Sequence, residues 1–120
     1  MVDRQITPTS KLGDQGNILS NAARLFRESG FERTSLKEIA DACNMLPGSL
    51  YYRYSTKEAL LVELMRRGVD LVTAEVESAY ASSDDPVERL RLCIKAHLRA
   101  LLLDSDAVYV LLFEWRALGP

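Results

Sequence analysis

At 120 residues, with 48% hydrophobic and 27% charged residues, the chain has an ordinary globular composition. That excludes extensive disorder and permits a core that needs no metal or disulfide. The formal net charge of −2 speaks against a nucleic-acid partner only until it is divided along the chain. Met1–Lys57 holds eight Lys and Arg against six Asp and Glu, a balance of +2, whereas Glu58–Pro120 holds seven against eleven, a balance of −4. Attraction to phosphate is screened beyond about 8 Å at physiological salt, so a mildly basic module on an acidic body remains compatible with DNA.

No stretch approaches the ~18 apolar residues of a membrane span, and Met1–Ser10 lacks the apolar run of a secretory signal. A cytoplasmic, reducing setting with no membrane partner is expected, in which Cys43 and Cys93 are two free thiols kept apart on different helices.

In chain order, residues 1–16 mix Pro8, Gly13, Gly16 and charges without periodicity and predict a flexible arm. Ile18, Ala22, Leu25 and Phe26 recur at helical spacing, and Gly30 is placed to end that helix in a left-handed conformation. The first helix is therefore expected from about Asn17 to Ser29. Ser35-Leu36-Lys37-Glu38 has the form of a capping box opening a short second helix with Leu36, Ile39, Ala40 and Cys43 on its apolar face and Asn44 at its end. Pro47 suits the first turn of a third helix, expected over Gly48 to about Tyr54.

A second capping box, Ser55-Thr56-Lys57-Glu58, opens a long helix to about Ala81, with Leu60, Leu61, Leu64, Val69, Leu71, Val72 and Val76 as its apolar positions. Asp85 as cap and Pro86 at the first helical position begin a fifth helix carrying Leu90, Ile94, Leu98, Leu101 and Leu102. Asp104 or Ser105 begins a sixth, with Val108, Leu111, Leu112 and Trp115. No strand pattern or repeat appears, so the fold class is all-α.

Thr34 to Lys57 is the informative stretch: two short helices joined by a tight turn, with a third behind, make a helix-turn-helix whose second member enters the major groove. On that member Gly48 lets backbone approach DNA closely, while Ser49, Tyr51, Tyr52 and Arg53 are hydrogen-bond donors. Tyr54 reads as a core aromatic. Lys37 and Arg53 are each open to a second reading as solvated surface charges.

Four blocks, Phe26-Arg27-Glu28-Ser29-Gly30-Phe31, Thr34-Ser35-Leu36-Lys37-Glu38-Ile39-Ala40, Gly48-Ser49-Leu50-Tyr51-Tyr52 and Thr56-Lys57-Glu58-Ala59-Leu60, together resemble the signature of the TetR family of transcriptional regulators from about Ile18 to Leu64. The resemblance implies a three-helix DNA-binding head over 17–57 and a helical ligand-binding and dimerisation body over 58–120. It implies a homodimeric, ligand-responsive repressor on a pseudo-palindromic double-stranded operator, with a small-molecule effector of unknown identity and no cofactor or metal.

Carried over residue by residue, it gives Thr34 and Tyr51 as phosphate contacts and Ser49, Tyr52 and Arg53 as recognition-helix contacts. It gives Lys57 as a phosphate-holding lysine, with Ser35, Lys37 and Gly48 on the same surface. Leu46 and Pro47 stand where the family often has Ser and Lys, which removes a cap oxygen and a charge and suggests apolar contact with thymine methyls. Members of the family run well past this length, so a truncated body is expected, with the apolar faces of its fifth and sixth helices left open.

For the effector pocket the candidates are Cys93, His97, Leu101 and Trp115. Cys93 and His97 are four apart on one helix, too few ligands for a metal site, and His97 is expected to be pocket-lining or buried. A lone histidine, with no Ser-His-Asp set, speaks against acid–base catalysis and so against an enzyme. The rival reading is a helical protein-interaction module without ligand control, which the apolar faces from Leu60 to Leu112 would serve equally.

Overall fold

The computed structural model describes the backbone of residues 9–102 and 105–119, with side chains from Asn17 onward. Six α-helices follow one another: α1 Thr9–Ser29, α2 Leu36–Ala42, α3 Pro47–Arg53, α4 Lys57–Ala81, α5 Pro86–Leu102 and α6 Asp106–Phe113, then a single 3-10 turn over Trp115–Leu118. No strand occurs among the described residues, so the all-α expectation holds.

The helix ends follow local chemistry. Gly30 closes α1 with φ 87° and donates its N–H to the Phe26 carbonyl at 2.9 Å. Asn44 closes α2 at φ 53°, and the amides of Asn44 and Met45 return to Asp41 and Ala40. These two bonds satisfy carbonyls that would otherwise lack partners at the helix end, and Asn tolerates the left-handed conformation that they require. Asp85 caps α5 by accepting the Glu88 amide at 3.0 Å, and Ser105 caps α6.

Three boundaries differ from expectation. α1 starts at Thr9, eight residues before Asn17, so residues 9–16 of the expected arm are helical and residues 1–8 lie outside the described residues. Gly13 and Gly16 each disfavour a helix by about 1 kcal/mol against Ala, a penalty that does not forbid one, and the expectation weighed them too heavily. α4 is capped by Thr56, which accepts the Ala59 amide at 3.1 Å, and not by Ser55. Both residues can cap, and the chain uses the later one. Trp115 lies in the 3-10 turn beyond α6.

The core joins Ile18, Leu19, Ala22, Ala23 and Phe26 of α1 with Phe31, with Ile39 and Ala40 of α2, with Leu50 of α3 and with Leu60, Leu61, Leu64 and Met65 of α4. Val110 of α6 enters the same cluster, so α6 closes the head from the body side. It crosses α4 closely at Gly68, where an added Cβ would stand 3.0 Å from the Ala107 carbonyl oxygen and 3.2 Å from the Leu111 Cβ. Arg27 of α1 pairs with Asp106 of α6 at 3.0 Å and lies over the Tyr109 ring at 4.8 Å.

Beyond Gly68 the expected apolar positions of α4 divide: Val69 and Leu71 are exposed, whereas Val72 and Val76 are half-buried. On α5, Leu90, Ile94, Leu98 and Leu102 are exposed, as are Leu112 and Trp115 further on. Leu101 and Leu111 are half-buried and Val108 is buried, so the open face expected on α5 and α6 exists but excludes Val108.

Candidate nucleic-acid interface

α2 and α3 pack on each other and α2 packs on α1. Within α3, Leu50 is fully buried and Tyr54 at its end packs against the core, as the core reading of Tyr54 requires. At 3.6 residues per turn, Gly48 and Tyr52 then lie opposite Leu50, with Ser49 and Arg53 sharing one flank and Tyr51 on the other. All five are exposed, and Tyr52 stands 93% open. Leu46, 77% exposed, forms the N-cap with no side-chain bond, and Pro47 follows as the first helical residue, half-buried. A ridge with polar tips, an apolar leading edge and a basic flank results, on an element short enough for a groove.

From α2, Lys37 is exposed. Ser35 caps the helix, accepting the Glu38 amide at 3.1 Å and donating to Glu38 Oε1 at 3.3 Å. The carboxylate thus answers the serine hydroxyl. Arg33, exposed in the turn before Ser35, was not among the residues singled out from the sequence.

Thr34 is a correction. Its side chain is 1% exposed and its hydroxyl donates to the Gly30 carbonyl at 2.8 Å, with the Leu25 carbonyl at 3.3 Å. A hydroxyl so placed cannot meet a phosphate, and it fastens the α1 end to the α2 entry instead. Lys57 is half-buried, with Nζ donating to the Phe31 carbonyl at 2.8 Å and the Glu32 carbonyl at 3.4 Å, over the Phe31 ring at 4.3 Å.

The four pocket candidates do not converge. A cleft of about 450 Å³ between α1, α5 and α6 is lined by Leu101 together with Arg27, Tyr109, Leu112 and Phe113, without Cys93, His97 or Trp115. Cys93 sits half-buried with Sγ 3.9 Å from the Val76 carbonyl. His97 and Trp115 are exposed, so the buried role expected of His97 is not found. Of its neighbours at helical spacing, Ile94 is exposed, Cys93 and Leu101 are half-buried and Ala100 is buried. Among the described residues no group of three or more His, Cys, Asp or Glu is placed to hold a metal, and no helix is long and apolar enough to cross a membrane.

Both cysteines are free thiols. Burial pushes the Cys43 thiol above its ordinary pKa, against the smaller opposing effects of the Asn21 amide donor and the Arg24 charge.

The family of bacterial regulatory proteins called tetR matches residues 18–64. The HTH-type transcriptional repressor KstR2 of Mycobacterium tuberculosis is 34% identical over 87 residues, covering 72% of this chain and 44% of that protein. The crystal structure of AibR in complex with isovaleryl coenzyme A and operator DNA superposes with a TM-score of 0.78 at 37% identity, over 89% of this chain and 58% of that one. The superantigen PfiT superposes with a TM-score of 0.82 at 30% identity, over 88% of this chain and 57% of that one, so the architecture also occurs in a protein named for a different activity. The chain spans about half the length of the relatives that it matches. Through residues 18–64, with their helix-turn-helix and its exposed α3 ridge, this chain belongs to the TetR family of transcriptional regulators.

Proposed function

We propose that the chain acts in a ligand-responsive transcriptional repressor that binds a pseudo-palindromic operator as a homodimer in the cytoplasm, and that it is not an enzyme. The observation that carries this reading is the exposed α3 ridge of Ser49, Tyr51, Tyr52 and Arg53 on a family-matched helix-turn-helix. Arg33, Lys37 and Arg53 supply charge for phosphates. Ser49 and Tyr52 reach base edges, Tyr51 reaches backbone, and Leu46 offers apolar contact to a thymine methyl. Two heads related by a two-fold axis would occupy half-sites about one helical turn apart, roughly 34–36 Å.

The effector, a small molecule, is assigned to the cleft of Arg27, Leu101, Tyr109 and Phe113, where occupancy would press on the joint between α1 and α6. That AibR was crystallised with both an acyl coenzyme A and operator DNA supports ligand control of this kind.

The test is selection of binding sites from random duplexes, followed by titration at rising salt. Enrichment of an inverted repeat is expected, with an affinity that falls steeply between about 50 and about 200 mM salt as counterions are released. No enrichment and no salt-dependent shift would overturn the reading in favour of a protein-interaction module.

A further inference from the structure

Lys57 is the first residue of α4. A cation in the first turn of a helix is disfavoured by the helix dipole, so its place there needs a compensating partner. The partners are in the turn between α1 and α2. The ammonium donates to the Phe31 carbonyl at 2.8 Å and the Glu32 carbonyl at 3.4 Å, and lies 4.3 Å from the Phe31 ring centroid. The Phe31 carbonyl also accepts the Thr34 amide at 3.2 Å, and the Thr34 hydroxyl returns to Gly30. Ser35, the next residue, caps α2. One ammonium thus fixes two carbonyls of a six-residue turn whose last bonds set where α2 begins.

We infer that Lys57 is a positioning residue, which acts on DNA through the α1–α2 turn and not by holding a phosphate. Its charge is turned toward carbonyl oxygens and an aromatic face, all supplied by the turn. What it delivers to the interface is the entry of α2, and with it Ser35 and Lys37. The effect on DNA rests on the proposed function; the effect on the turn does not.

The experiment uses Lys57→Met, which keeps the length and loses charge and donors, with Lys57→Gln as an uncharged variant that retains a donor and Lys57→Arg as the rescue. Without DNA, amide exchange at Thr34–Lys37 should quicken about tenfold or more in Lys57→Met while the amides of α5 keep their wild-type rates, which marks local and not global opening. Exchange unchanged at those amides would overturn the inference, whether or not the chain binds DNA. With DNA, at a temperature where every variant is folded, Lys57→Met should lose affinity several-fold and Lys57→Gln less. Both should keep the wild-type slope of log affinity against log salt, and Lys57→Arg should restore affinity. A slope lowered by about one unit in both neutral variants would identify a direct phosphate contact and overturn it. Failure of the wild type itself to bind DNA would defeat the proposed function alone, and the exchange rates would still decide the role of Lys57. If Lys57→Met does not fold, the same two readouts are taken on Lys57→Gln.

Discussion

The head and the body of this chain use their apolar residues in opposite ways. Between Ile18 and Met65 the large aliphatic and aromatic side chains mostly meet one another: Phe26, Phe31, Ile39, Leu50, Leu60 and Leu61 are all buried. Along α5 the side chains of Val87, Leu90, Ile94, Leu98 and Leu102, spaced three or four residues apart, form a stripe open to solvent. The helical periodicity is equally clean in both regions, and the difference lies in whether a partner surface is present. Periodicity tells which face of a helix is apolar, whereas burial needs a second surface, and for α5 the described residues supply mainly α4, with a smaller contact to α6.

Truncating one residue from each region should break the symmetry most widely. Phe26→Ala removes a fully buried ring packed 5.2 Å from that of Phe31 and should lower stability by about 3–5 kcal/mol. Leu98→Ala, on the open stripe, should stay within about 0.5 kcal/mol. Urea unfolding followed by circular dichroism measures both. A loss at Leu98 comparable to that at Phe26 would mean that the stripe is covered in solution.

The joint between the regions gives the next largest effect. Gly68→Ala would bring a Cβ to 3.0 Å from the Ala107 carbonyl oxygen, a backbone atom that cannot swing aside. Overpacking costs about 1–3 kcal/mol, and the gain in helix propensity returns about 1 kcal/mol. A net loss of roughly 1 kcal/mol is expected, with α6 displaced from α4. Unchanged stability together with unchanged hydrogen exchange in α6 would show that the crossing yields enough to take a methyl group.

What was legible in the sequence follows the same division. Caps, the left-handed ends at Gly30 and Asn44, and the three-helix head could be read because each rests on residues a few positions apart. The inward turn of Thr34 and the capture of Lys57 by Phe31 and Glu32 could not, since a lone Thr or Lys carries no mark of which way it faces. For Lys57 that is set by where α4 crosses the α1–α2 turn, 25 or 26 positions away along the chain, and for Thr34 by the Gly30 and Leu25 carbonyls at the end of α1. The pocket candidates fared worst. His97 and Trp115 were chosen for their chemistry on helices whose covering surfaces periodicity does not supply, and both are exposed.

Caps should respond alike on both sides of the divide, because their energetics are local. Ser35→Ala in the head removes the acceptor of the Glu38 amide, and Asp85→Ala in the body removes that of the Glu88 amide. Each should cost about 1 kcal/mol. In the head the loss should also weaken DNA binding, because α2 enters the interface there. A cap effect confined to one region, measured by thermal unfolding of the two variants, would show that the body helix is not held by its own ends.

The smallest expected effect is at an ion pair that ties α1 to α6. Arg27 and Asp106 meet at 3.0 Å with side chains 34% and 40% exposed, so solvent screens most of their attraction and a coupling near 0.5 kcal/mol is expected. A double-mutant cycle of Arg27→Met and Asp106→Asn isolates that coupling. It keeps it separate from the packing of the guanidinium on Tyr109, 4.8 Å from the ring centroid, which Asp106→Asn leaves in place. Raising salt to about 1 M, where the Debye length is about 3 Å, should remove most of the coupling but little of the packing. A coupling above about 2 kcal/mol would mean that the seam between head and body excludes water far better than those exposures allow, and that the pair holds α6 rigidly to the head. A coupling indistinguishable from zero at low salt would leave the joint to packing, that of Val110, of the Gly68 crossing and of Arg27 on Tyr109.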